Sequence, residues 1–370
     1  MRVVVSGGGT GGHIFPAIAV AESIKRLAPN AEVLFIGGTT GMETEIVPKY
    51  GVQYQAVTAK KLRKVISPST IGVMLSLLKG YGEAKTYLRA FKAEAVVGTG
   101  GYVAAAAVLA GASLKLPTVI LAPDFRAGRT NKYLAKWVKT VCLVFEEAAQ
   151  EFPKGKTVVT GLPLRTGIVA PETVTEAEAR EAFAGLSPNA FTVLVIGGSQ
   201  GAQALNGFVL DGAKTLLESD VQILHQTGTR NIEAVQATAQ TRGLGQGYCP
   251  VPFFDEIQMP LALRAADVIM CRCGISTLSE AMVNALPAFL VPLPTAYADH
   301  QTYNAKAVEG AGGGMLRPET QWSGEKMAAE ILQLKQVPQR LASLSNGMRK
   351  LARPNAADDV ARLILSGLQV

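Results

Sequence analysis

The chain has 370 residues, 48% of them hydrophobic and 18% charged, with 38 glycines and a formal net charge of +7. That balance excludes a disordered, collagen-like or coiled-coil protein, and the length exceeds what one compact core usually holds, so two domains are expected. The charge is uneven: residues 1–165 carry 21 Lys and Arg against 10 Asp and Glu, whereas residues 166–370 carry 15 against 19.

Met1-Arg2 leads straight into the apolar run Val3–Ser6, without the long apolar stretch and cleavage site of a signal peptide. A glycine turn, Gly7-Gly-Gly-Thr-Gly-Gly12, follows, with His13 at a predicted helix start. The next strands are Glu32–Ile36, Ala95–Val97, Thr118–Leu121 and Thr140–Val144. Between them, Ile71–Leu78 is an apolar run flanked by Arg63-Lys64 and Lys79. It fits a segment lying on a membrane surface and equally a core helix. The longest charge-free apolar run, Tyr102–Leu114, falls short of the roughly 18 residues that span a bilayer. Residues 166–189 lead into a second series of strands: Phe191–Ile196, Gln222–His225, Asp267–Cys271 and Ala288–Pro292. Four cysteines (Cys142, Cys249, Cys271, Cys273) with no CxxC spacing are not a disulfide framework. A cytosolic chain is the expectation.

Both series open alike. Val3–Gly12 and Val193–Ala202 are each an apolar strand, a glycine-rich turn and a helix start. The alternation of strands and amphipathic stretches predicts an α/β fold of two Rossmann-like domains, 1–165 and 166–370, facing each other across a cleft. The C-terminal helix is free to cross back to the first.

Gly7-x-Gly9-x-x-Gly12 spells a dinucleotide fingerprint, but the second strand ends in Gly37-Gly38-Thr39, without the acidic residue that holds a nicotinamide nucleotide's ribose. NAD is not expected, nor is a P-loop. Glycines still let backbone N–H groups approach an anion at a helix start. Two such loops suit a pyrophosphate donor on one side and a phosphorylated acceptor on the other; tight structural turns are the plainer reading. His13, at the positive end of a helix, is a neutral imidazole suited to act as general base for a hydroxyl. As a lone histidine it also fits a structural role. Glu280 stands one helical turn beyond Ser276 and Thr277, where a carboxylate suits two ribose hydroxyls or simply the helix dipole. Asp299, His300, Gln301 and Asn304, after a buried strand, look like a reader of sugar hydroxyls. Cys271, Cys273 and His300 lack zinc spacing, so no metal site is expected. The basic first half implies something anionic or is merely a solvated face. With no RNA-recognition signature, an acidic membrane surface suits it better than nucleic acid.

The ordered set GGGTGGHIFPAIAVA (7–21), GTGGY (98–102), AGRTNKYLAK (127–136), GLPLR (161–165), GGSQGA (197–202), HQTG (225–228), RCGISTLSE (272–280) and PLPTAYADHQTYNA (292–305) resembles the MurG family of bacterial N-acetylglucosaminyltransferases over nearly the whole chain. The resemblance implies the two-domain glycosyltransferase fold called GT-B. It also implies inverting transfer of GlcNAc from UDP-GlcNAc to the muramyl 4-hydroxyl of lipid I, giving lipid II for peptidoglycan synthesis and hence for cell shape and division.

Carried over by residue, His13 would be the base, and Thr10, Gly11 and Gly12 would lie at the donor–acceptor junction. Arg165 and Ser199 would meet the diphosphate, the backbone at Phe254 the uracil, and Glu280 the ribose. Ile275, Ser276, Thr277, Leu278 and Ser279 would line the nucleotide and sugar, and Gln301 would bind the GlcNAc hydroxyls. Gly100, Gly101 and Tyr102 would face the acceptor. No metal or other cofactor is required. Anionic phospholipid and other cell-wall enzymes are the implied partners, at the cytoplasmic face of the inner membrane. The family's His-Glu-Gln-Asn is replaced by Leu121-Ala122-Pro123-Asp124, with Asp124 where the asparagine helps to bind GlcNAc. A divergent active enzyme is expected; a different glycolipid glycosyltransferase and a non-catalytic sugar-nucleotide binder stay open beside it.

Overall fold

The computed structural model describes residues 1–59, 69–198 and 200–368, with the side chains of all of these except 69–74. The chain forms two units, Met1–Arg165 with Arg353–Val370, and Thr166–Ala352. Residues 353 onward are thus part of the first unit, and the second ends at Ala352, not at the end of the chain.

The first unit's strands are β1 (Arg2–Ser6), β2 (Glu32–Gly38), β3 (Gln53–Val57), β4 (Ala95–Gly98), β5 (Thr118–Ala122), β6 (Thr140–Leu143) and β7 (Thr157–Val159). They form a parallel sheet in the order β3-β2-β1-β4-β5-β6-β7. Helices α1 (Gly11–Leu27), α2 (Glu43–Lys49), α3 (Ser69–Ala90), α4 (Gly101–Ser113) and α5 (Arg129–Leu134) intervene. β1 is buried on both faces, which explains its unbroken valines. Val3 and Val5 pack with Ile14 and Ile18 of α1, while Val4 packs with Val103 and Ala107 of α4. Each buried valine stabilises the fold by about 1.5–3 kcal/mol at most.

The second unit repeats the plan with β8 (Phe191–Ile196), β9 (Val221–Gln226), β10 (Tyr248–Val251), β11 (Val268–Cys271), β12 (Ala288–Leu290) and β13 (Gly314–Leu316). The order is β10-β9-β8-β11-β12-β13, again parallel. Its helices are α6 (Glu176–Glu181), α7 (Gln203–Leu217), α8 (Ile232–Thr241), α9 (Gln258–Ala265), α10 (Ile275–Val283), α11 (His300–Gly310), α12 (Gly324–Lys335) and α13 (Pro338–Leu351). The last helix, α14 (Ala356–Ser366), lies on α1, where Val360, Ala361 and Ile364 complete the first unit's core. Arg26 and Ser23 of α1 both hydrogen-bond Asp358 there.

In each unit the strand order reverses at the first strand, between β1 and β4 and between β8 and β11. Ligands of open parallel sheets bind at that switch point, outside the carboxyl ends of the strands. Both glycine loops lie there.

Candidate active site

At the first switch point the loop after β1 and the turn after β4 are locked together. Thr99 is buried, and its hydroxyl donates to the carbonyl of His13 at 2.6 Å. Gly100 has φ 117°, and a Cβ there would meet His13 Nδ1 at 2.5 Å. Gly101, at φ 82°, leaves room only for Gly8's carbonyl. Glycine is therefore required at both positions. Thr10 is exposed and caps α1 through its carbonyl, which accepts from the N–H groups of His13 and Ile14; its hydroxyl does not cap the helix. Thr10, Gly11, Gly12, His13, Gly100, Gly101 and Tyr102 thus form one surface.

The half-buried His13 ring has Nδ1 3.2 Å from the carbonyl oxygen of Thr99. A carbonyl only accepts, so Nδ1 carries the proton and Nε2 is left as the basic atom. Burial pulls the His13 pKa down from 6.5, while the negative charge of Asp124 and the bond to Thr99 oppose that pull. The ring is neutral at pH 7, and Asp124 favours the imidazolium that would form on proton uptake. Asp124, just past β5, therefore belongs electrostatically with His13 in the first unit. Arg165 lies in this unit as well, its guanidinium 4.5 Å above the Phe15 ring of α1, a cation–π contact one turn beyond Gly11.

At the second switch point α10 starts at Ile275 with Gly274 as its N-cap. Ser276, Thr277 and Glu280 are partly exposed and share one helix face at i, i+3 and i+4 spacing, whereas Ile275, Leu278 and Ser279 are buried. Leu278 is a core residue, so only its backbone can meet a ligand. The Ser279 hydroxyl is buried without a hydrogen-bond partner among the described residues. Gln301 accepts through Oε1 from the N–H groups of Leu293 (2.9 Å) and Cys273 (3.2 Å), tying the ends of β12 and β11 together. Its Nε2 donor is the group suited to a sugar hydroxyl. Ser199 lies outside the described residues.

Two features have no counterpart in the sequence reading. Gln226 at the end of β9 donates to Gly198 O (3.1 Å) in the second glycine loop and accepts from Phe254 N (3.1 Å). The backbone N–H at Phe254 is thereby engaged, so a base edge would be read by other backbone atoms of that turn. Next to it, His225 is fully buried; its Nε2 pairs with Asn206 Oδ1 (3.0 Å) and its Nδ1 with the Tyr248 hydroxyl (2.9 Å). Asn206 in turn donates to Thr227 O, behind Gly201. The tetrapeptide HQTG (225–228) was the available signal, but spacing alone assigns it no role. Glu43 is the second omission: its carboxylate lies under the first glycine loop, accepting from Gly9 N and Gly38 N.

The glycosyltransferase family 28 N-terminal domain matches residues 3–143, and the family's C-terminal domain matches residues 192–360. The chain is 36% identical over 370 residues, 98% of either chain, to a protein of Desulforudis audaxviator (strain MP104C) named UDP-N-acetylglucosamine–N-acetylmuramyl-(pentapeptide) pyrophosphoryl-undecaprenol N-acetylglucosamine transferase. It is 36% identical to a protein of the same name from Bacillus subtilis (strain 168), over 96% of this chain and 97% of the relative. The crystal structure of Acinetobacter baumannii MurG superposes with a TM-score of 0.79 at 30% identity, covering 99% of both chains.

Proposed function

The chain belongs to glycosyltransferase family 28, among its MurG-type N-acetylglucosaminyltransferases, and from that premise we infer that it transfers GlcNAc from UDP-GlcNAc to the muramyl 4-hydroxyl of lipid I, giving lipid II. The observation that carries the mechanism is the His13 ring: neutral, its Nδ1 proton held by Thr99 and its Nε2 left basic. Nε2 takes the proton of the acceptor hydroxyl as the oxygen attacks the anomeric carbon of the α-linked donor. The C1–O bond to UDP breaks in the same displacement, giving a β-1,4 linkage. Asp124 stabilises the transient imidazolium.

The leaving UDP gathers negative charge. Ser199, Arg165 and the N–H groups at the start of α7 neutralise it in this reading, and no metal or other cofactor is needed. Glu280 holds the ribose hydroxyls, Ser276 and Thr277 line the nucleotide, and the Gln301 amide donates to the GlcNAc. Thr10 and the Gly100–Tyr102 turn meet the acceptor.

No helix among the described residues is long and apolar enough to cross a membrane. The lipid-linked acceptor and the basic residues of 1–165 support peripheral attachment to anionic phospholipid at the cytoplasmic face of the inner membrane, beside other cell-wall enzymes. The run 71–78, which fits a membrane-surface segment and a core helix equally by sequence, lies partly outside the described side chains; Leu75, Leu77 and Leu78 within it are exposed.

Linkage analysis of the product made from UDP-GlcNAc and a lipid I analogue tests this reading. A β-1,4 disaccharide supports it. Preference for UDP-galactose or a diacylglycerol acceptor would identify a different glycolipid glycosyltransferase.

A further inference from the structure

Glycine loops after a first parallel strand ordinarily receive an external anion, because their N–H groups have no internal partner. Here one of those groups does. Glu43, in the first turn of α2, is fully buried, and its two carboxylate oxygens accept from Gly9 N at 3.1 Å and from Gly38 N at 3.3 Å. Its carboxyl fills the space a Cβ would need at Gly8 and Gly41, which is why the chain keeps glycine there. Gly38 is held at its other end too, since the Tyr54 hydroxyl donates to its carbonyl at 2.5 Å. Burial and the Glu43 charge both push the Tyr54 pKa up, so the phenol stays a donor.

We propose that Glu43 is a positioning residue of the transfer reaction, an internal anion that occupies the first glycine loop and fixes the segment carrying Thr10 and His13. The proposal rests on the transferase reading above. On this view the loop is built to orient a base, and a phosphate of the acceptor does not bind at Gly9, because that N–H is engaged and a second negative charge would face the first. The phosphorylated-acceptor role that the glycine spacing suggests for this loop is replaced by a scaffolding one. The acidic residue missing from the end of β2 is present five residues after Gly38, turned inward.

The Glu43→Gln variant keeps the shape but offers one acceptor oxygen to two N–H donors, setting an amide N–H against one of them. Turnover should fall about 10- to 100-fold, the loss expected when a reacting group is misplaced by a fraction of an ångström to an ångström. The Michaelis constant for UDP-GlcNAc should stay within about twofold, since the residues assigned to the donor's uracil, ribose and GlcNAc belong to the other unit and Glu43 touches none of them. A merely structural role would lower thermal stability and the folded fraction while the turnover of the folded enzyme stayed at the wild-type value; that result, or unchanged turnover, overturns the proposal. Should the variant fail to fold, Tyr54→Phe removes a neutral bond to the same Gly38. It is then expected to lower turnover at unchanged donor Michaelis constant, and wild-type turnover in it would contradict the proposal. Wild-type enzyme measured alongside separates the two levels. Absence of transfer in the wild type sinks the functional reading and this inference with it, whereas transfer unaffected by Glu43→Gln sinks this inference alone.

Discussion

The Nδ1 atom of His13 faces the carbonyl oxygen of Thr99 at 3.2 Å, while the Thr99 hydroxyl donates back to the carbonyl of His13. This reciprocal pair joins the first and fourth strands at the sheet's switch point and sets which imidazole nitrogen is basic. A His13→Ala change should lower turnover about 10²- to 10⁴-fold, the range for loss of a general base. Turnover within threefold of wild type would remove histidine from that role.

The pH dependence follows from the same pair. Activity needs the neutral ring, so it should fall as pH drops through the His13 pKa, which burial holds below 6.5. Asp124 opposes that depression, so Asp124→Asn should move the acid limb of kcat/KM to lower pH while reducing turnover. An acid limb that stays in place would separate Asp124 from the base.

Donor binding is expected to respond to different residues. Glu280→Ala should raise the Michaelis constant for UDP-GlcNAc more than it lowers turnover, and an unchanged constant would count against a ribose contact. Gln226→Glu can still accept from Phe254 N but cannot donate to Gly198 O. It should weaken UDP binding about tenfold by calorimetry, the scale of one lost hydrogen bond with a carboxylate set against a carbonyl.

How legible this was depended on burial. The strands anticipated from the sequence are the central ones, whose valines and leucines are apolar on both faces. The four that were not anticipated, β3, β7, β10 and β13, are the edges of the two sheets. Two of them are partly exposed and two are only three residues long: Gln53–Val57 mixes polar and apolar residues, and Thr157–Val159 and Gly314–Leu316 are too short for a periodicity to show. The glycine loops and His13 were legible because backbone geometry demands particular residues. Glu43, Thr99 and Gln226 were not, because each acts through a backbone group far away in sequence, and no periodicity records such a bond. Leu278 shows the converse: it sits inside a motif, yet its side chain is core.

The second unit should be acid-sensitive. Burial lowers the His225 pKa to about 3, against 6.5 unfolded. The folded state therefore binds fewer protons between these values, and stability should fall as pH drops from 6.5 toward 3, by roughly 5 kcal/mol in full. Denaturant melts read by tyrosine fluorescence at pH 7 and pH 5 should show the loss. His225→Asn should be less stable at pH 7 but flatter across this range. A wild-type stability independent of pH between 7 and 5 would contradict the neutral buried ring.

UDP release from UDP-GlcNAc, measured with and without a lipid I analogue, tests the central claim most directly. The account predicts release that depends on the acceptor and is lost in His13→Ala. Donor binding without acceptor-dependent release would contradict it, and would leave a sugar-nucleotide-binding protein with Ala122-Pro123-Asp124 as the segment where catalysis failed.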